Sequence, residues 1–198
     1  MNLNQYKNIY YWEYAHRIFG RIIGIIFIIP FFIFLRRGYI KRNLFQHLFF
    51  AILLVITQGL LGWFMVKSGL LDNPHISHYR LAAHLFLAFL LIGYTYWLKL
   101  GLEMDKINNK LIKPLSSHIN IIFGLYVLQI VFGAFMAGTK AGLLWNTLPL
   151  MEGQLIPDGL LTLKPVYTNF FNNMKMFQFS HRIIGTLLMI YSAFFFYI

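Results

Sequence analysis

Three histidines stand at or near the start of long apolar segments, and two of them have nearly the same neighbours. His16 is followed by Arg-Ile-Phe-Gly and His181 by Arg-Ile-Ile-Gly, while His84 begins a third apolar segment. An ionisable residue inside a membrane span indicates a functional site. Imidazoles repeated at the same end of several spans favour one ligand in particular, a haem held between helices.

Composition indicates that these histidines are carried by membrane-spanning helices. The chain is 59% hydrophobic and 12% charged, about half the charge of a soluble domain. Four of its five apolar runs have the roughly 17–25 residues that a spanning helix needs. We therefore predict an all-α, polytopic transmembrane helix bundle with five spans. The runs are Ile18–Leu35, Leu44–Val66, Leu81–Leu100, Ile119–Ala137 and Ile183–Ile198.

Basic residues predict the orientation of the bundle. They concentrate in the connections between the first and second runs and between the third and fourth runs, and such clusters mark the cytoplasmic or matrix side. The N-terminus is then outside, and His16, His84 and His181 lie at one level near the outer face. The net charge of +11 mainly reflects the basic residues that set the orientation in the membrane. We therefore expect anionic lipid headgroups as partners and no nucleic acid.

Glycine spacing supports a flat ligand beside the histidines. His16, Gly20 and Gly24 recur at every fourth residue and share one helix face, and His181 with Gly185 repeats the pattern. The alternative is close helix–helix packing through small residues. With no cysteine in the chain, iron–sulfur clusters, c-type haem attachment and thiolate-ligated haem are excluded within it, which leaves histidine as the strong iron ligand.

The remaining histidines have simpler interpretations. His47 and His118 lie at the inner helix ends, where residence at the membrane interface explains them. His75 and His78 fall in or beside a short outer turn, where we expect solvated side chains.

Glu13 and three arginines are the charged candidates near the predicted haem level. Glu13 precedes His16 by three residues and therefore shares its helix face, where a carboxylate could move protons. Its alternatives are a favourable place near the helix dipole or a pair with Arg17. Arg17, Arg21 and Arg182 could meet haem propionates through bidentate pairing, or could simply extend to the interface.

Internal repetition indicates a duplicated bundle. Gln58–Met65 and Gln129–Met136 share a pattern of glutamine, glycine, phenylalanine and methionine, and each is followed by a Gly-Leu pair. The connection Gly138–Ser180 is too long for a simple turn, and we expect it to fold over the outer mouth as a lid.

Five segments of the chain resemble the successive motifs of the haem A synthase family, in the family's order and spacing. They cover nearly the whole chain and are highly specific in combination. The segments are Glu13–Arg17, Gly62–Leu70, Ser77–Leu85, Gly133–Gly138 with Ala141–Leu143, and Gln178–Arg182.

The resemblance implies a pseudo-symmetric eight-helix protein of four plus four helices, in which residues 1–105 are family helices 2–4 and residues 106–198 begin the second half. It implies oxidation of the C8 methyl of haem O to the formyl group of haem A for cytochrome oxidase assembly. His16 and His84 would then be the axial iron ligands of the substrate haem O, with Glu13 as the catalytic carboxylate. His181 would be one ligand of a haem b, and Arg17 and Arg182 would contact haem.

The resemblance also implies a setting for the protein. It would be an integral protein of a bacterial or mitochondrial inner membrane, and the absence of cysteine resembles the alphaproteobacterial and mitochondrial branch. Its partners would be an electron donor such as ferredoxin, haem O synthase and possible further copies of the chain. The first, seventh and eighth family helices have no counterpart here. We therefore expect a fragment with one complete histidine pair, a half-site at His181 and no synthase activity alone.

Two other function classes fit parts of the pattern. A bis-histidine b-type membrane cytochrome that only transfers electrons would need neither the acid Glu13 nor the long lid. A transporter or assembly protein without cofactor would show no Soret band when purified.

The predicted orientation can be tested by labelling single cysteines introduced into this cysteine-free chain. An impermeant maleimide added outside should label Lys164→Cys, in the Gly138–Ser180 connection, and should leave Lys110→Cys unlabelled until the membrane is opened. Outside labelling of Lys110→Cys would overturn the orientation.

Overall fold

Helices account for most of the structure, a computed structural model that describes residues 3–69, 77–103 and 109–197. In the described part of the chain the sole β feature is an isolated bridge between Met151 and Gln154. The helices are α1 Leu3–Arg36, α2 Arg42–Gly69, α3 His78–Glu103, α4 Asn109–Thr139, α5 Asn169–Asn172 and α6 Met174–Tyr197.

Five of these helices are long and apolar enough to cross a membrane, which confirms the predicted number of spans. The spans begin before the apolar runs, because a helix satisfies its own backbone hydrogen bonds whatever side chains it carries. None of His16, His84 and His181 lies in the first turn of its helix, so the expectation that these histidines begin their helices was wrong. The spans are Tyr10–Arg36, Arg42–Lys67, His78–Glu103, Leu115–Thr139 and Met174–Tyr197.

Helix α1 ends in a glycine-dependent turn that leads into α2. Gly38 has a φ of 71°, a left-handed conformation that glycine adopts without strain. The amide of Tyr39 donates to the carbonyl of Phe34, and the amide of Gly38 donates to that of Leu35. The rings of Tyr39 and Phe34 also contact each other. This is the Schellman pattern, which satisfies carbonyls left over at a helix end.

The structure divides into two compact units. The first comprises Met1–Leu60 and Leu91–Leu102, and the second comprises Leu61–Leu90 and Glu103–Ile198. Within the second unit, a buried cluster joins α3, α4 and α6 through Ala82, Ala134, Phe135 and Phe177. Each unit contains one end of the α2–α3 hairpin, and the second also contains the complete α4–α6 hairpin.

A histidine–tyrosine hydrogen bond joins the two helices at the predicted inner end of each hairpin. Nδ1 of His47 lies 2.9 Å from the hydroxyl of Tyr94, and Nδ1 of His118 lies 2.8 Å from the hydroxyl of Tyr191. The first bond belongs to the first unit and the second bond to the second unit. His47 and His118 are therefore specific interhelical partners, beyond the interfacial residence that was predicted for them.

The sequence registers of the two hairpins agree at these positions. His47 precedes Gly62 by 15 residues, as His118 precedes Gly133. Tyr94 follows His84 by 10 residues, as Tyr191 follows His181. The internal repeat therefore extends over both helices of each hairpin.

Two asparagines organise the long connection between α4 and α6. The fully buried Asn169 accepts a hydrogen bond from the amide of Leu163 and donates to the carbonyls of Leu163 and Val166. Asn173 caps α6, because its Oδ1 accepts from the amides of Lys175 and Met176. A side-chain oxygen at this position satisfies amides that would otherwise have no partner at the helix start.

Loss of either inner hydrogen bond should weaken its hairpin. We expect Tyr94→Phe and Tyr191→Phe each to lower the free energy of unfolding by about 1 kcal/mol, because each leaves a half-buried imidazole nitrogen without its partner. Tyr126→Phe, at an exposed tyrosine of α4, is the matched control. Unfolding in mixed detergent measures the effect, and equal stability of all three variants would contradict it.

Candidate functional site

His84 lies directly over a glycine of the facing helix. If Gly62 carried a Cβ, that atom would lie 3.1 Å from Cε1 of the His84 ring, which is tighter than ordinary van der Waals contact. Glycine at this position of α2 therefore lets the imidazole of α3 lie against the backbone of its neighbour. The imidazole is half-buried, so the hairpin holds it between its two helices.

His181 repeats this arrangement in the α4–α6 hairpin. A Cβ at Gly133 would lie 3.0 Å from Cε1 of His181, and a Cβ at Gly185 would lie 3.0 Å from Nε2 of Gln129. The contact is thus reciprocal: each helix presents a polar side chain to a glycine of the other helix. The same two side chains meet, with Nε2 of Gln129 3.1 Å from Nε2 of His181.

His16 has different surroundings. Its side chain is exposed on α1, and a Cβ at Gly20 or Gly24 would meet nothing within 4 Å among the described residues. The glycines of α1 therefore leave an open face, which fits the flat-ligand interpretation. At Gly185, by contrast, the space is taken by Gln129, so there the small-residue packing alternative holds.

Glu13 forms an ion pair with Arg17 one turn later in α1. Oε2 of Glu13 lies 3.3 Å from Nη2 of Arg17, and the carboxylate side chain remains 61% exposed. Because α1 begins at Leu3, Glu13 lies outside the first turn, where the helix dipole acts. The dipole alternative is therefore wrong, and the pairing alternative is observed.

Arg182 and Gln178 fasten the long connection to the start of α6. The guanidinium of Arg182 donates to the carbonyls of Trp145, at 2.6 Å, and Thr147, at 2.7 Å. The buried amide of Gln178 donates to the same Trp145 carbonyl. Arg182 thus holds the connection one residue away from His181, and its role toward a haem propionate stays a prediction.

The end of the connection also contacts the start of α3. Nε2 of His78 donates to the carbonyl of Phe171 at 3.0 Å, and the Tyr79 hydroxyl donates to the same carbonyl at 2.8 Å. A Cβ at Gly138 would lie 2.8 Å from Cα of His78, so glycine permits this close approach. The expectation of a solvated His78 was wrong, because the imidazole is engaged by the connection. His75 lies outside the described residues.

A salt bridge closes the middle of the connection onto α6. Nζ of Lys175 lies 2.7 Å from Oε2 of Glu152, and the Trp145 indole donates to Oε1 of Glu152 at 2.8 Å. The hydrogen bond from Lys175, followed by that from Trp145, lowers the pKa of Glu152 below its ordinary value of 4.5. The Gly138–Ser180 connection, which we call the cover, therefore contacts both α3 and α6, and its closure over an outer mouth stays a prediction.

The predicted site residues are distributed over both units. Glu13, His16 and Arg17 belong to the first unit, while His84, His181 and Arg182 belong to the second. The sequence interpretation missed Gln129 as the partner of His181. The signal was available, because Gln129 occupies the position of Gln58 in the internal repeat.

The fold and these hairpins define a class of polytopic helical membrane proteins in which imidazoles pack against glycines inside the spans. A sequence profile described as cytochrome oxidase assembly protein matches residues 1–198. The chain belongs to this cytochrome oxidase assembly protein family.

Three relatives show how close the similarity is. The chain is 45% identical to a haem A synthase of Parvibaculum lavamentivorans over 190 residues, 44% identical to one of Nitrosospira multiformis over 188 residues, and 42% identical to one of Wolbachia pipientis subsp. Culex pipiens over 199 residues. These alignments cover 96, 93 and 98% of this chain and 55, 53 and 59% of the relatives. The chain thus spans little more than half the length of the curated relatives it matches. No solved structure matches it.

Acid should release the cover. A carboxylate whose folded pKa is lowered contributes stability above its unfolded pKa, and that contribution is lost as the pH falls through the folded pKa. We therefore expect hydrogen exchange in residues 139–173 to be slower in the wild type than in Glu152→Gln at pH 6. The difference should vanish in acid, once the pH lies well below the folded pKa of Glu152. An equal difference at pH 6 and in acid would contradict this role of Glu152.

Proposed function

We propose that this chain forms the substrate-binding half and the start of the cofactor-binding half of a haem A synthase. The reaction is oxidation of the C8 methyl of haem O to the formyl group of haem A. The observation that carries the proposal is the repeated seating of an imidazole over a glycine, His84 on Gly62 and His181 on Gly133. The similarity to three curated haem A synthases supports the same conclusion.

His16 and His84 are proposed to hold the substrate haem O as its two axial ligands. The open glycine face of α1 at Gly20 and Gly24 offers room for a flat macrocycle next to His16. His84 is held in one orientation by its contact with Gly62, as an axial ligand must be. Residues 1–105 would thus form the substrate half.

His181 is proposed as a ligand of a resident haem b, whose chemistry when bound would be electron transfer. The donor set fits this group, because His181 offers an imidazole, a common haem-iron ligand, on a ring that is fixed against Gly133. Arg182 binds the cover through two backbone carbonyls. It thereby anchors the cover beside His181 along the chain, and its remaining N–H groups would be available for a propionate.

Glu13 is proposed as the group that accepts protons at the substrate site. Arg17 pairs with Oε2 and so orients the carboxylate, while the exposure of the side chain leaves it room to accept a proton through Oε1. Transfer to a positioned carboxylate contributes a factor of about 10²–10⁴ to many enzymatic rates.

The wider setting is part of the same proposal. The protein would reside in a bacterial or mitochondrial inner membrane with its histidines toward the outer face. Haem O synthase would supply the substrate, and a donor such as ferredoxin would supply electrons. Five apolar helices support the membrane assignment, and the family description supports a role in oxidase assembly.

The enzymatic claim can be tested in the chain completed with the C-terminal helices of the Parvibaculum lavamentivorans relative, in cells that make haem O. Glu13→Gln should lower haem A production at least about 100-fold and leave bound haem and protein abundance unchanged, because the amide keeps the shape and cannot take the proton. Asp158→Asn, at an exposed carboxylate of the cover, is the control and should keep haem A production.

Normal haem A output from Glu13→Gln would exclude the proton-accepting role. Haem binding without haem A in the unsubstituted completed chain would instead identify an electron-transfer cytochrome. Extracted haems separated by chromatography provide the readout.

A further inference from the structure

Gln129 and His181 contact each other inside the α4–α6 hairpin, and this contact affects how His181 can bind a ligand. The amide of Gln129 occupies Nε2 of His181, at 3.1 Å. The other ring nitrogen, Nδ1, and the amide oxygen Oε1 of Gln129 are both buried and have no hydrogen-bond partner among the described residues. Two polar side chains inside an apolar hairpin thus share one hydrogen bond and leave two buried atoms unsatisfied.

The side chains of Gln129 and His181 fit the space between the helices closely, but two of their polar atoms lack hydrogen-bond partners among the described residues. Gly185 gives the Gln129 amide its space, and Gly133 gives the His181 ring its space, each with a virtual Cβ at 3.0 Å. An unsatisfied buried polar atom destabilises the folded protein. Because no described residue supplies a partner to either atom, this pair is suited to exchange its hydrogen bond for another interaction.

We propose that Gln129 is a placeholder for the ligand of His181: its amide holds Nε2 of the imidazole in the haem-free protein and must withdraw before that nitrogen can bind a haem iron. This inference rests on the proposed haem site at His181 and assigns a new role to Gln129. The contact fixes the ring over Gly133 during assembly, and so keeps the imidazole in one orientation. Haem binding must then compete with the Gln129 contact, because the hydrogen bond that binding must break stabilises the ligand-free state.

Because of this competition, removing the Gln129 amide should raise the affinity of His181 for haem. In Gln129→Leu the side chain keeps a similar size against Gly185 but offers no hydrogen bond, so Nε2 has no competing partner. The affinity of His181 for ferric haem should rise about three- to tenfold, which corresponds to the loss of one hydrogen bond from the ligand-free state. Gln129→Asn keeps the amide but is one methylene too short for the contact, and it should raise the affinity similarly.

The experiment is a haemin titration of the purified 198-residue chain in nanodiscs, followed by the Soret band. Uptake at His181 is defined as the part that His181→Ala removes, measured in the wild type, Gln129→Leu and Gln129→Asn. A higher affinity in both Gln129 variants supports the placeholder. A lower or an unchanged affinity overturns it, because a purely supporting amide would make binding weaker when removed.

A measurement without haem tests the contact itself. In protein labelled with ¹⁵N-histidine, the Nε2 resonance of His181 should shift in Gln129→Leu and stay unchanged in Gln154→Leu, a glutamine of the cover. An unshifted resonance in Gln129→Leu would show that the amide does not hold the ring, and so would also overturn the inference. Uptake that does not depend on His181 at all would instead contradict the proposed haem site, and with it the placeholder.

Discussion

Contact between an imidazole and a glycine backbone inside an apolar hairpin is the constraint on which the rest of this structure depends. A polar ring within a membrane span has no water to bind, so it must be accommodated by protein. Here the accommodation is steric: His84 lies on Gly62 and His181 on Gly133, both tighter than an ordinary contact with a Cβ would be. Alanine at either glycine would require the imidazole ring or its helix to shift by a few tenths of an ångström.

The rest of the second unit is arranged around these two contacts. The hydrogen bond between His118 and Tyr191 fixes the other end of the α4–α6 hairpin, and Gly138 allows the end of α4 to touch the start of α3. The cover is fastened to α6 by Arg182 and Gln178, on either side of His181 along the chain. The connection is therefore anchored at the two residues of α6 that flank this part of the His181 segment, Gln178 and Arg182.

The sequence predicted the features that depend on composition and local pattern. The number of spans follows from apolar length, whereas the roles of His84 and His181 as ligands stay predictions. It could not predict where the helices begin, because polar residues such as Glu13 continue a helix that apolarity alone does not define. Placing the start of α1 too close to Glu13 also led to the helix-dipole interpretation of this residue.

Hydrogen-bond partners on a facing element also could not be predicted from the sequence. Gln129 was recognised as part of a repeat, but the identity of its partner depends on how α4 and α6 face each other. His78 was assigned to a solvated turn because its neighbours along the chain are turn residues. Its partner, the carbonyl of Phe171, lies far along the sequence and becomes a neighbour only through the folded cover.

The most direct test of the imidazole sites is the electron paramagnetic resonance spectrum of the purified chain loaded with ferric haem. We expect a low-spin signal typical of two imidazole ligands in the wild type. His84→Ala should convert it to a high-spin signal, and His47→Ala, which removes an imidazole from the opposite end of the same hairpin, should leave it unchanged. A low-spin signal that survives His84→Ala would contradict the assignment of His84 as a haem ligand.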